Sequence, residues 1–506
     1  MTADRTPPAA VGGPWPPDPL IHELSTGPWL AGLSRRLGRT VTLAHVPDDA
    51  WDEVVLPGTD AVWLMGVWTR SAAGRDIALG DPDVRREVAS YLPDATDDDI
   101  VASPYCVRAY VVDPAFGGPE GLAAARGALA ARGVRLILDF VPNHVAPDHP
   151  WVTEHPEFFV RGTDDDLAAQ PPAYRATPSG PLAMGKDPYF APWKDVLQLN
   201  LTNPGLRQAV VATLLEVAGQ CDGVRCDMAM LALDDVIDRT WGDRVDPAQP
   251  RPYWTEVIGG VRAHWPAFMF AAEAYWDREP DLIAQGFDHC YDKRLYDRLV
   301  ADDAASVRAH LGADPGYQHH LLRFLENHDE PRAAATFPTD RGRAAGVVVA
   351  TTPGALLVFL GQLAGRRDHY PVQQARWPDH IPDPDTEAWW RTLLSALADH
   401  RVRAGQWSLL AVDGWPDNRS CDRLMAWQWA DHEHRHLVVV NFSDQPADGR
   451  IPLPDTAGAK VVLTDRLTGA TYDRSGDDLD PDVAPGGGLY VALGPWAVNL
   501  FGVVES

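Results

Sequence analysis

Eight short apolar runs, most of them followed by a helical pattern, constrain this chain more than any other feature. They occupy residues 20–24, 60–67, 134–140, 222–228, 268–272, 289–292, 321–325 and 355–360. Helical patterns lie at 29–33, 47–55, 121–132, 204–218, 257–265, 282–285, from 333 onward, and at 389–400. Strands that are apolar on both faces need cover on both sides, which is the condition of a parallel sheet between helices. Eight such units predict an α/β chain closed into a (β/α)8 TIM barrel. The alternative, an open doubly wound sheet, lacks its glycine fingerprint after the first strand.

Punctuation sharpens the reading. Gly133 sits where a helix ends in a left-handed residue, and Asn203-Pro204 starts a helix with a cap and a first-turn proline. Leu206, Val210, Leu214 and Val217 give that helix one apolar stripe. Residues 145–200 interrupt the alternation with Pro, Asp and aromatics and little periodicity, so they read as a loop-rich inserted domain after the third strand. The barrel then takes 20–144 and 201–402. Past 403 the pattern changes to short β runs at 424–429, 436–441, 460–463 and 488–493 between Pro, Gly and Asp clusters, an all-β C-terminal domain over 403–506. Residues 1–19 read as a disordered Pro-rich tail.

Composition excludes several classes. The formal net charge is −27, from 71 acidic and 44 basic residues, so nucleic acid and anionic membranes are poor partners. A neutral sugar is not excluded, and 19 Trp supply faces on which sugars stack as well as core. The five cysteines are odd in number and lack zinc spacing, which predicts reduced thiols and a cytoplasmic location. The most apolar run, 346–361, is too short to span a bilayer and contains Pro353. Oligomeric state is left open.

The chemistry is sought at strand ends, because a closed parallel barrel brings them to one mouth. The fourth run ends in Asp222-Gly-Val-Arg-Cys-Asp-Met228, where Arg225 and Asp227 share a face of the strand. Such a pair holds a carboxylate ionised and aimed, as a nucleophile requires, and equally serves as a structural ion pair. The other ends decide between these. The third ends in Asp139-Phe-Val-Pro-Asn143-His144, the fifth in Glu273-Ala-Tyr275 and the seventh in Glu326-Asn-His-Asp329. Carboxylates at three strand ends are poor core material. They suit glycoside cleavage, which needs a carboxylate nucleophile and a carboxylic acid.

These four ordered regions resemble those of the α-amylase family, glycoside hydrolase family 13. Ser103-Pro-Tyr105 with Asp113-Pro, Trp193-Lys-Asp195, Gln198-Leu-Asn200, the insertion and the β-rich end resemble further parts of that family. The resemblance implies that Asp227 is the nucleophile, Glu273 the general acid/base, and Asp329 the carboxylate that stabilises the transition state. It implies that Arg225 orients Asp227, that His144 and His328 bond sugar hydroxyls, and that Tyr105 stacks beneath the sugar. Other polar residues take plainer readings. Asp139 is structural, bonding Arg225 or backbone; His22 and Glu23 are structural too. Asn143 bonds the inserted loop or ligates calcium, but no partner set for calcium is evident: Asp164–Asp166 reads as a solvated turn, so no metal or cofactor is expected. Asp292, Lys293 and Arg294 line the site or form ion pairs. Gln362, Arg366 and Arg367 read as a plain loop, and Cys106 as inert.

One departure concerns substrate. Many relatives carry a Lys-His pair just after the nucleophile; here Met228-Ala-Met-Leu231 is wholly apolar. That argues against long starch chains. The expected activity is a retaining enzyme on short α-glucosides or maltooligosaccharides, through a covalent β-glycosyl-Asp intermediate. The alternatives are a transglycosylase, isomerase or phosphorylase of the same family, acting in trehalose, sucrose or glycogen metabolism, and a non-catalytic sugar-binding barrel.

Overall fold

The computed structural model describes residues 11, 13–247 and 249–506. Eight strands close a parallel barrel in sequence order: β1 (Leu20–Ser25), β2 (Ala61–Met65), β3 (Arg135–Phe140), β4 (Gly223–Cys226), β5 (Met269–Ala272), β6 (His289–Tyr291), β7 (Leu321–Arg323) and β8 (Ala355–Phe359). All eight fall within the expected apolar runs or one residue beyond, and the barrel is closed rather than open. Side chains alternate between two cores. Val62, Leu64, Leu136, Leu138, Val224 and Phe270 pack outward under the helices. Ile21, Trp63, Ile137, Met269, Ala271, Tyr291 and Leu357 fill the interior.

Local chemistry sets several boundaries. The helix Pro204–Ala218 begins at Asn203, whose Oδ1 accepts from the Leu206 N–H at 3.0 Å. Gly133 takes φ +74, as expected of a residue past a helix end. Gly354, at φ +104, lets the chain turn into β8, since a Cβ there would meet the Leu321 carbonyl at 2.3 Å. The sequence patterns gave no warning of the segment after β2. There Trp68–Arg70 pairs with Val107–Val112, and the helices Ala72–Gly80 and Pro82–Tyr91 lie between.

Between β3 and the helix at 204, His144–Val145 pairs antiparallel with Leu197–Gln198 and pinches the base of the insertion. Asp164–Asp166 is not a free turn: it opens the helix Asp164–Ala169, with Thr163 and Asp166 as a reciprocal cap and Arg244 paired to Asp166 at 2.7 Å. Of the expected tail, residues 1–10 and 12 lie outside the described residues. Residues 13–19 are pinned across the end where the strands begin. Trp15 lies against the Arg135 guanidinium, 4.8 Å from its ring centroid, and donates to the Ala267 carbonyl. Asp18 accepts from the Gly354 N–H at 2.6 Å. A proline-rich composition did not reveal these partners, which lie far away in sequence.

The C-terminal part forms a six-stranded sheet that includes Leu424–Ala430, Arg435–Asn441, Lys460–Asp465 and Val498–Glu505, with a two-stranded sheet of Ala447–Ile451 and Leu489–Leu493. Its core is continuous with the barrel's outer helices. Trp427 and Trp429 are buried and both donate to the carbonyl of Thr351, the last residue of the helix Thr339–Thr351, at 3.2 and 2.7 Å. The two indoles thus satisfy an orphan carbonyl at a helix C-terminus while filling the seam. Among the described residues no helix is long and apolar enough to cross a membrane. Replacing Trp429 by Ala is expected to cost about 3–5 kcal/mol of stability, by cavity and lost bond together. A thermal melt within a few degrees of the parent would contradict this role for the seam.

Candidate active site

The carboxylates are placed by strand register. Cys226 pairs with Phe140 on one side and Ala272 on the other. The next residues continue the ladder: the Asp227 N–H donates to the Phe140 carbonyl at 2.8 Å and the Glu273 N–H to the Cys226 carbonyl at 3.0 Å. Asp227 and Glu273 therefore leave the sheet at one level. Alternation turns them, with Arg225, into the barrel interior. Met228 then takes φ 42, a strained conformation for a residue with a side chain, and begins the turn Ala229–Ala232. That bend points the Met228 N–H at Glu273 Oε2, 2.6 Å away.

Arg225 lies at the centre, 1% exposed. Its Nη1 donates to Asp227 Oδ1 at 2.7 Å. Its Nη2 stands 2.8 Å from Glu273 Oε2 and 3.8 Å from Asp329 Oδ2, as ion pairs without hydrogen-bond alignment. The rings of Tyr105, Trp63 and Tyr291 surround the guanidinium at 5.1–5.7 Å. One cation thus faces three carboxylates within an aromatic cage.

Asp329 reaches the site on the loop after β7. Asn327 Oδ1 accepts from the N–H groups of Asp329 and Glu330 at 2.9 and 2.8 Å, a side-chain turn that fixes this loop. Behind it Glu326 and Arg332, both buried, pair at 2.6 Å. His328 Nε2 lies 2.9 Å from Asp329 Oδ2 and 2.6 Å from the Tyr105 hydroxyl. The Tyr105 ring stacks on the His328 ring, with centroids 5.3 Å apart.

These surroundings drive the carboxylates apart. Burial pushes Glu273 up to about 8, helped by the charges of Asp227 and Asp329 and opposed by Arg225. Burial acts the same way on Asp329, but the adjacent His328, its hydrogen bond and Arg225 prevail and hold it down at about 2. At neutral pH one carboxyl is therefore an acid and another an anion, the division of labour that acid/base glycoside cleavage needs. The two histidines diverge likewise. Burial lowers His144, keeping a neutral imidazole, whereas the charges of Asp329 and Glu23 overcome burial and raise His328.

All seven expected site residues converge. Tyr105, His144, Asp227, Glu273 and Asp329 line one cavity of about 410 Å³, and Arg225 and His328 stand directly behind it. The cavity has further walls: Trp193 from the insertion and Tyr275 after β5, both quoted in the sequence motifs, and Phe190 and Asp187 from the insertion and Gln373 after β8, which sequence patterns did not single out. Trp193 packs on His144 with centroids 5.2 Å apart. Of the apolar stretch after Asp227 only Met228 reaches the cavity; Ala229, Met230 and Leu231 turn into the core.

The plainer readings divide. Asp139 accepts from Trp63 Nε1 at 3.1 Å and the Gly66 N–H at 2.7 Å; it bonds backbone as expected, and Trp63 takes the place foreseen for Arg225. Asn143 exchanges hydrogen bonds with Gln198, tying the insertion's exit to the barrel. Asp292 pairs with His310 and Arg323, Lys293 with Asp297, and Arg294 with Asp277, so these are ion pairs. Arg366 bonds Tyr370, Arg367 bonds the Ala334 carbonyl, and Gln362 accepts from the Phe359 N–H. Burial pushes the Cys106 thiol far up, and all five cysteines are buried and unpaired. Glu23 is the exception: it bonds His328 Nδ1 at 2.5 Å, inside the site, while His22 faces outward to the Val54 carbonyl. Among the described residues no group of three or more His, Cys, Asp or Glu side chains is arranged to hold a metal ion.

No protein-family model matches the chain. The α-amylase MalA of Haloarcula japonica is 26% identical over 354 residues, covering 68% of this chain and 47% of that protein. The α-1,4-glucan:maltose-1-phosphate maltosyltransferase of Rhodospirillum rubrum is 29% identical over 239 residues, covering 44% of this chain and 29% of that protein. The chain thus spans about half the length of the first relative and less of the second. The crystal structure of an α-amylase from Geobacillus thermoleovorans in complex with acarbose superposes with a TM-score of 0.68 at 17% identity, over 98% of this chain and 100% of that one. In sequence the chain is similar to α-amylases and maltosyltransferases, and in fold to solved α-amylases.

Proposed function

We propose that the protein is a retaining enzyme that cleaves α-glucosidic bonds of short α-glucosides or maltooligosaccharides through a covalent β-glycosyl intermediate on Asp227. One observation carries this reading: a single buried guanidinium bonds Asp227 and contacts Glu273 and Asp329 at the wall of one cavity. Asp227 uses the oxygen that Arg225 leaves free to attack the anomeric carbon. Glu273 gives its proton to the leaving oxygen; its Oε2 is occupied by the Met228 N–H, which leaves Oε1 to carry that proton. Asp329 and His328 hold sugar hydroxyls and stabilise the oxocarbenium-like charge, with the Tyr105 ring beneath. Glu273 then acts as base toward the acceptor, and two inversions retain configuration. Each role falls to a side chain of the protein itself. The five unpaired cysteines support a reducing, cytoplasmic setting.

Transfer to an acceptor other than water is the second reading. It is favoured by the aromatic and apolar side chains of Met228, Phe190 and Tyr275 on the cavity wall and by the likeness to a maltosyltransferase. Retention of all three carboxylates in one cavity argues against a purely sugar-binding barrel.

A fluorinated α-glucosyl donor is expected to label Asp227, as read by peptide mass spectrometry; a label on another carboxylate would overturn the assignment. The acid form of Glu273 exists below about 8 and is lost as pH rises through that value, so kcat/KM is expected to fall about tenfold per pH unit above it. Glu273→Gln is expected to abolish turnover of alkyl α-glucosides yet retain part of the activity on donors with activated leaving groups. Equal loss on both donors would remove Glu273 from the acid role.

A further inference from the structure

We propose that Glu23, in the first barrel strand, is a positioning residue that keeps His328 a fixed imidazolium, so that Nε2–H always faces Asp329 and the sugar. The inference rests on the catalytic reading above, but its decisive readout does not depend on turnover.

Glu23 has no solvent exposure and projects from β1 into the barrel interior, in register with Trp63 and Phe359. Its Oε1 lies 2.5 Å from His328 Nδ1, and among the described residues its other oxygen has no hydrogen-bond partner. His328 is also its single ion-pair partner there. A buried carboxylate so sparsely bonded is expensive, unless its one partner bears a full opposite charge.

The other side of the ring sharpens the point. His328 Nε2 lies 2.9 Å from Asp329 Oδ2. A neutral imidazole has one bare nitrogen lone pair. With the proton on Nδ1, that lone pair would accept from the Tyr105 hydroxyl yet lie beside Asp329; with the proton on Nε2, it would face Glu23. Only the doubly protonated ring meets both carboxylates with positive charge, through a hydrogen bond to Glu23 and an ion-pair contact without hydrogen-bond alignment to Asp329. The remaining groups around His328 do not supply a rival charge balance. Tyr105 presents its hydroxyl at 2.6 Å, Trp63 its ring edge at 5.5 Å, and His369 donates to the His328 carbonyl at 2.7 Å. Arg225 and Asp139 act from further off with opposite signs, and Arg225 is engaged by Asp227 and Glu273. The direction of the His328 shift, upward despite complete burial, agrees.

The chemical consequence is a permanent cation beside Asp329. His328 then neither accepts nor shuttles a proton during turnover. It donates to a sugar hydroxyl from a fixed nitrogen, and its charge keeps Asp329 ionised while Glu273 cycles.

The test is NMR of the full chain labelled with 15N-histidine, with His328→Gln to assign the ring. In the wild type both ring nitrogens of His328 are expected at imidazolium shifts at pH 7 and up to at least about pH 8.5. Glu23→Gln keeps a hydrogen-bond acceptor but removes the charge, and is expected to bring the titration of His328 into the neutral range. In the same variant kcat is expected to fall about 10- to 100-fold with little change in KM, and its alkaline limb to move down by about one pH unit or more. A neutral His328 in the wild type at pH 7, or an unchanged titration in Glu23→Gln, would overturn the proposal. Should Glu23→Gln not fold, Glu23→Asp, which retains the charge, is expected to keep the imidazolium, and a neutral ring there has the same adverse meaning. If instead the fluorinated donor fails to label Asp227 while His328 behaves as described, the catalytic reading fails and this charge assignment stands.

Discussion

The Arg225 guanidinium is the interaction on which the rest of the site depends. It is almost wholly removed from water, so its charge must be met from within the barrel. Asp227, Glu273 and Asp329 meet it, and each responds to it differently because their other neighbours differ. Glu273 is buried with only a backbone N–H and this shared cation, so burial prevails and it keeps its proton. Asp329 has the second cation, His328, and stays ionised. Arg225 and His328 stand buried beside Glu23, Asp227 and Glu273, while Asp329 opens to the cavity with its side chain 41% exposed.

The barrel was legible because its strands are apolar on both faces and sequence order is also spatial order. The three carboxylates were legible for a related reason: a parallel barrel converts the position "just past a strand" into the position "at the mouth". Glu23 was read as structural without its partner, although parity held part of the signal. Ile21, Glu23 and Ser25 point inward and Leu20, His22 and Leu24 outward, so a carboxylate at Glu23 had to lie among the interior residues. Reading His22 and Glu23 as one polar pair hid that difference. What alternation could not supply was the partner, since His328 lies 305 residues further along the chain.

Other misses have another cause. Phe190 and Gln373 line the cavity from loops, where no periodicity relates sequence to direction. The same holds for residues 13–19: Trp15 and Asp18 find Arg135, Ala267 and Gly354 at the far end of the barrel, contacts that composition cannot encode. Side-chain turns such as that of Asn327 stand between these extremes. Their residue type is suggestive, but only the loop's own geometry shows that Asn327 fixes Asp329.

The acceptor side shows how a local sequence argument changes once direction is known. Met228-Ala-Met-Leu231 reads as an apolar wall of four residues. In the fold the strained turn at Met228 sends the next three into the core, where the Ala229 carbonyl accepts from Trp254 Nε1 at 2.9 Å. One side chain of the four remains at the cavity. The rest of the wall comes from the insertion, where Phe190 is 73% exposed at the rim and Trp193 packs on His144. Phe190 is held there by Asp187, whose carboxylate accepts from the N–H groups of both Tyr189 and Phe190. The insertion is anchored at its base through Asn143 and Gln198 but presents this aromatic tip freely. The cavity's rim is thus built on an element that the barrel's own architecture leaves open to variation, while Asp227, Glu273 and Arg225 are set by the barrel.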